Sequence, residues 1–271
     1  MKWKTGYIKS NGNNLFYTRT GGDKPPFLLA HGGSDDSGCW MDYAMRLEKD
    51  YEVVMYDAIG HGNSPRITKD IPVDLVSDMS NVIKGLNLEK PAIWGHSMGA
   101  ATTAGYAALH SDGINLIILE DVPWFDDPKK LREERKRSYT IPDLQKGTLK
   151  EAIDLSRKVH PHHMDSIHER WALSKMKFDI DGIALTPDML PIPKKWEDQA
   201  SRITCSSLIL TADVDRGAIV TPEVAIKALD IMQNAQWAYI PNAGHTIRYE
   251  QFEIVMGVVI NFLNQNYSVE E

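Results

Sequence analysis

Ser97 stands in Ala92-Ile93-Trp94-Gly95-His96-Ser97-Met98-Gly99-Ala100-Ala101, pinched between two close glycines. An apolar run leads in and a run of small residues leads out, which predicts a strand, a sharp turn and a helix. G-x-S-x-G in that setting holds a serine hydroxyl alone at the tip of a strained turn, over a helix N-terminus that favours developing negative charge. A plain tight turn would leave the same hydroxyl merely solvated. A serine becomes a good nucleophile only with a base beside it. Of the nine histidines, His245, in Asn242-Ala243-Gly244-His245, lies after the last predicted strand and before the last predicted helix. A loop in that place opens on the same sheet edge as the serine. His31 and His61 sit in glycine-rich turns and read as loop-shaping residues, and His96 lies inside the turn with its side chain directed away.

The base needs an acid to orient it and to stabilise the imidazolium. Thr211-Ala212-Asp213-Val214-Asp215 follows the penultimate predicted strand and offers two carboxylates; Asp121, after the strand ending at Glu120, offers a third. The chain order Ser…Asp…His favours the 213–215 loop, with Asp215 ahead of Asp213 and Asp121 last. The aspartates not used for this purpose read as turn or cap residues. Acyl transfer also requires hydrogen-bond donors for an oxyanion. The Met98 N–H, next to the serine, is one candidate. Gly33, in His31-Gly32-Gly33-Ser34, is the other, because a glycine lets backbone approach a substrate closely.

The elements that must hold these residues can be read from their periodicity. Asn11-Gly12 between two short alternating runs, 3–9 and 15–19, predicts a β-hairpin. Strands are predicted at 26–30, 51–57, 92–94, 114–120, 207–211 and 236–240, and helices near 40–49, 73–86, 98–110, 222–233 and 250–264. Alternating strands and helices imply an α/β fold with a mostly parallel, doubly wound sheet. The texture changes after the sixth strand, where helical patterns, prolines and KKLREERKR appear without a convincing strand. The predicted division is therefore a core of residues 1–121 and 199–271 with a helical cap at 122–198. The basic run reads as a solvated helix face. Trp124, Phe125 and Trp171 are candidates for an apolar acyl site, or else form the cap's own small core.

The chain's 271 residues are 42% hydrophobic and 25% charged, with a formal net charge of −7. That length is enough to bury a substantial core. The acidic balance argues against nucleic acid and anionic membranes as partners. No run of residues is long and apolar enough to span a bilayer, and no apolar leader opens the sequence. Cys39 and Cys205 are far apart and read as reduced, which fits a cytoplasmic setting. His160-Pro161-His162-His163 lacks a completing Cys or acidic cluster, so no metal is expected, and nothing calls for a cofactor. Homo-oligomerisation is left open.

Taken together, LLAHGGSDDSGCW, VVMYDAIGHGNS, AIWGHSMGAA, LIILEDVPW, LILTADVDRGAIVTPE and YIPNAGHTIRYEQFE resemble the α/β-hydrolase superfamily, in its capped, single-domain serine hydrolase form. The resemblance spans the chain outside the predicted cap. It departs at Ile59, where such proteins often carry Arg, and in the acid loop of Asp213 and Asp215, which is longer than usual, so that Ile-Val-Thr-Pro arrives late. Relatives that use an Asp at the elbow cleave carbon–halogen bonds or epoxides, and Ser97 speaks against both. The resemblance implies an esterase-like enzyme that cleaves a small carboxylic ester through an acyl-enzyme. A C–C bond or lactone hydrolase, a perhydrolase, and a non-catalytic ligand-binding relative carry the same motifs.

Overall fold

The computed structural model describes residues 3–70, 72–125, 141–186, 189, 191–193 and 195–267. Its eight-stranded sheet has the order β1-β2-β4-β3-β5-β6-β7-β8. The strands are β1 (Lys4–Ser10), β2 (Asn13–Arg19), β3 (Pro26–Ala30), β4 (Glu52–Tyr56), β5 (Ala92–His96), β6 (Leu116–Glu120), β7 (Ser206–Ala212) and β8 (Ala235–Ile240). The β1–β2 and β2–β4 pairs are antiparallel, and all later pairs are parallel. Asn11 and Gly12 both take positive φ, which is what a two-residue hairpin demands.

Strands β3 to β7 are buried on both faces, and their residues alternate between two cores. Leu28, Val54, Ile93, Ile117 and Ile209 face one side, where helices α2 (Leu75–Gly85), α3 (Met98–His110) and α9 (Pro222–Ile231) pack. Their strand neighbours Phe27, Val53, Trp94, Ile118 and Leu208 face the other side, against α1 (Met41–Leu47) and α11 (Phe252–Asn266). The helix predicted at 40–49 begins instead as a 3-10 turn, Ser37–Trp40, that runs into α1. The last predicted helix is split into α10 (Ile247–Glu250) and α11, with Gln251 between them in a non-helical conformation.

Between β6 and β7 the described residues form α4 (Ile141–Lys146), α5 (Leu149–Val159), α6 (Asp165–Lys177), α7 (Ile180–Ala184) and α8 (Trp196–Ala200), with no strand among them. The KKLREERKR run lies outside the described residues. No described helix is long and apolar enough to cross a membrane. Cys39 and Cys205 are both buried and unpaired with each other.

Candidate active site

The chain turns from β5 into α3 at Ser97, whose φ of 51° and ψ of −110° lie outside the usual regions for a residue with a side chain. The two flanking glycines make this turn possible. A Cβ on Gly95 would run into the Gly99 carbonyl, and one on Gly99 into the Ala30 carbonyl. The Ser97 N–H donates to the Glu120 carbonyl on the neighbouring strand, which fixes the turn to the sheet edge. The Met98 N–H opens α3, where no intrahelical acceptor exists.

His245 reaches Ser97 from the loop between β8 and α10. Its Nε2 is 3.0 Å from Ser97 Oγ, and its Nδ1 is 2.5 Å from Asp121 Oδ2. Asp121 is completely buried, whereas the His245 side chain keeps 22% of its surface. Asp121 takes a positive φ of 44° just past the end of β6. Its carboxylate accepts the Ile219 N–H at 2.9 Å and the Val220 N–H at 3.0 Å. A carboxylate buried this way is an acceptor on every side. The Nδ1–H of His245 must therefore point to it, which leaves Nε2 free to take the serine proton.

Neither aspartate of the 213–215 loop meets His245, so the expected order of preference is reversed. Asp213 is turned over the end of β8, where it accepts the Asn242 N–H at 3.0 Å and the Tyr239 hydroxyl. Asp215 is exposed on the 3-10 turn Val214–Arg216. The reason is the loop's length. After that turn Gly217, at φ 98°, sends the chain back beneath Asp121, so the loop delivers N–H donors rather than a carboxylate.

The His96 ring lies against the His245 ring, with 4.8 Å between their centroids. Its Nε2 lies 2.8 Å from the His245 carbonyl, and a carbonyl only accepts, so the proton sits on Nε2. Burial, reinforced by the Arg248 cation, holds its pKa well below the ordinary histidine value. The uncharged ring thus braces the backbone of the loop that carries His245.

The loop after β3 passes directly beside Ser97. A Cβ on Gly32 would lie 3.5 Å from Ser97 Cβ and would collide with the His96 ring. The Gly32 carbonyl is turned inward, where it accepts the Asp35 N–H at 3.1 Å and contacts His31 Nδ1 at 2.8 Å. In a trans peptide the C=O and the next N–H point in opposite directions. The Gly33 N–H is therefore turned outward, and Gly33 is exposed with open space over its Cα. His31 and His61 shape this loop, as their sequence setting suggested. His31 Nε2 accepts the Ala58 N–H and His61 Nε2 accepts the Ser34 N–H. Burial lowers their pKa values to about 4 and about 3, so both rings stay neutral.

The aromatic candidates divide. Trp124 is 1% exposed, stacks on Trp196 and donates to Gln199 Oε1, so it is part of the main core rather than of a cleft. Trp171 is 4% exposed and packs with Leu144, Ala152 and Ala172 inside the helical insertion. Large rings with small neighbours fill space well, and here they fill the interior. Phe125 is half-buried. No group of three or more His, Cys, Asp or Glu that could hold a metal occurs among the described residues.

Sequence reasoning missed a buried charge network behind these loops. Arg248, three residues after His245, donates to Glu120 Oε1 at 3.2 Å and lies 3.4 Å from Asp35 Oδ2. Asp35 also accepts from the Tyr249 hydroxyl and from Lys175 Nζ of α6. Burial pushes the Glu120 pKa up, against the pull of Arg248. One signal was available: Glu120 ends an otherwise apolar strand, and a charge in that position needs a buried partner.

The α/β-hydrolase fold family model matches residues 25–166, and the chain belongs to that family. It is 21% identical, over 97% of its length and 92% of the other's, to the 2-hydroxy-6-oxo-6-(2'-aminophenyl)hexa-2,4-dienoic acid hydrolase of Metapseudomonas resinovorans. Among solved structures, the N-formylmaleamic acid deformylase of Pseudomonas putida S16 superposes with a TM-score of 0.76 at 20% identity, covering 94% of this chain and 100% of that one. A thermophilic esterase from Thermogutta terrifontis superposes with a TM-score of 0.74 at 22% identity, covering 98% and 100%. At these identities the structural likeness speaks for the fold.

Proposed function

We propose that this protein is a serine hydrolase that cleaves a small carboxylic ester through an acyl-enzyme. The observation that carries the reading is the continuous chain Ser97 Oγ, His245 and Asp121, with the acid fully buried and its remaining lone pairs taken by backbone N–H groups. Ser97 attacks the ester carbonyl while His245 Nε2 takes its proton. Asp121 holds the imidazole in register and offsets its positive charge. The Gly33 and Met98 N–H groups receive the oxyanion. His245 then protonates the leaving alcohol, and water attacks the acyl-enzyme by the same route in reverse.

In this reading residues 122–198 form a cap over the nucleophile's edge of the sheet. Phe125 is the aromatic candidate with surface left to meet an acyl chain. No cofactor takes part.

The test is a burst assay with p-nitrophenyl esters of increasing chain length, run on wild type and Ser97→Ala. A burst followed by turnover, absent in Ser97→Ala, supports the reading. A folded wild type without a burst on any ester, amide, lactone or vinylogous 1,5-diketone would assign the protein to the ligand-binding branch of its family instead. Turnover confined to the diketone would move it to carbon–carbon bond hydrolysis with the same three residues.

A further inference from the structure

The loop that presents the Gly33 N–H continues into Ser34, whose φ of 63° lies in the left-handed region. A serine holds that conformation only where its surroundings impose it. Two contacts do so. Beneath the loop, the Ser34 N–H donates to His61 Nε2 at 3.2 Å. On the other side, Lys175 Nζ donates to the Ser34 carbonyl at 2.9 Å and to Asp35 Oδ1 at 2.6 Å. Lys175 lies 140 residues further along the chain from Asp35, on α6 of the helical insertion, and it is 4% exposed. Lysine is rarely buried to that extent, and here its charge is met by the Asp35 carboxylate, the Ser34 carbonyl, the Ser174 hydroxyl and the face of the Trp171 ring.

The same carboxylate leads on to the other catalytic loops. Asp35 Oδ2 accepts from Tyr249 and faces Arg248, and Arg248 reaches Glu120, the residue before Asp121. Replacing a buried ion pair by apolar groups is often neutral for stability. The pair therefore needs another reason to be there.

We propose that Lys175 is a positioning residue for the oxyanion hole: by gripping Ser34 and Asp35 from the insertion, it fixes the peptide orientation that turns the Gly33 N–H toward the substrate carbonyl. The inference deepens the serine hydrolase reading and rests on it. Lys175 touches no reacting atom, and its effect passes through backbone geometry. Loss of the grip frees the Ser34 peptide to rotate out of the left-handed region, and the Gly32–Gly33 peptide follows.

The experiment compares Lys175→Arg, Lys175→Gln and Lys175→Met with wild type in kcat, KM and affinity for an alkylboronic acid. Such an acid adds to a serine hydroxyl, and one of its oxygens then occupies the oxyanion hole. Lys175→Met is expected to lower kcat by about 10- to 100-fold, less than outright removal of a donor, with KM within about twofold. Boronate affinity should fall by the same factor. Lys175→Gln, which keeps a donating NH2 without the charge, should fall between, and Lys175→Arg should retain most of the activity. If Lys175→Met does not fold, the Gln and Arg variants still supply the correlation. An unchanged kcat in the folded variants, or a fall in kcat without a parallel loss of boronate affinity, overturns the proposal. A wild type with no acyl-enzyme burst overturns the hydrolase reading itself, so the two failures are separable.

Discussion

The loops after β6 and β7 end neighbouring parallel strands, open on the same sheet edge, and each carries aspartate. They do opposite jobs. Asp121 is the first residue past β6 and is completely buried, and there His245 Nδ1 meets it. The β7 loop is long. It leaves Asp215 in solvent, uses Asp213 to fasten the end of β8, and folds back to give Asp121 two backbone donors. The carboxylate and the donors that position it come from different strands. Which aspartate meets His245 is decided by what is buried around it, and loop order along the chain is a weaker guide.

The sharpest way to break this contrast is Asp121→Asn. It keeps the shape and removes the charge that orients His245, so kcat/KM should fall by about 10³- to 10⁴-fold with the fold intact by circular dichroism. Retention of activity would return the role to the β7 loop. Acidification probes the same edge from a different side. Buried neutral His31 and His61 have folded pKa values of about 4 and about 3, below the ordinary 6.5. The unfolded chain therefore binds more protons as the pH drops. Their contribution is whole above about pH 6.5 and is lost progressively toward pH 4 and below. For His31 alone the loss is on the order of 3 kcal/mol. Urea unfolding at pH 7 and pH 5 captures the first part of it, about 2 kcal/mol for His31, and hydrogen exchange should show the 31–34 segment loosening while the exposed 214–217 turn stays as it was. Asp213→Ala should cost about 1 kcal/mol of stability, for the lost Asn242 and Tyr239 bonds, with kcat changed only a few-fold. Asp215→Ala should change stability by less than about 0.5 kcal/mol and leave turnover alone. A large kinetic effect at either position would collapse the distinction between the two loops.

The parts of this molecule legible in sequence are those governed by local rules. Strand alternation, the Asn11-Gly12 hairpin and the glycine-flanked Ser97 each depend on neighbours along the chain, and α3 begins and ends where its sequence says, at Met98 and His110. His245 was reachable from element order. Asp121 was not, because Asp213, Asp215 and Asp121 look alike until the fold shows which one is shut away from water. The tryptophans left two readings open for a related reason. Composition marks Trp124 and Trp171 as large and apolar, but only packing against Trp196 and against Leu144 and Ala152 says that they are interior. Lys175 was invisible, since a lysine near a helix C-terminus normally lies in solvent.

Mobile ions screen charges they can approach, over about 8 Å at physiological salt, and leave shielded ones nearly untouched. The Lys227–Glu197 bridge, with side chains 48% and 30% exposed, should dissolve in concentrated salt. The Lys175–Asp35 bridge, at 5% and 6%, should not. The insertion would then stay latched to the core in brine, and the protein should tolerate ionic strengths that strip its outer charges of their partners.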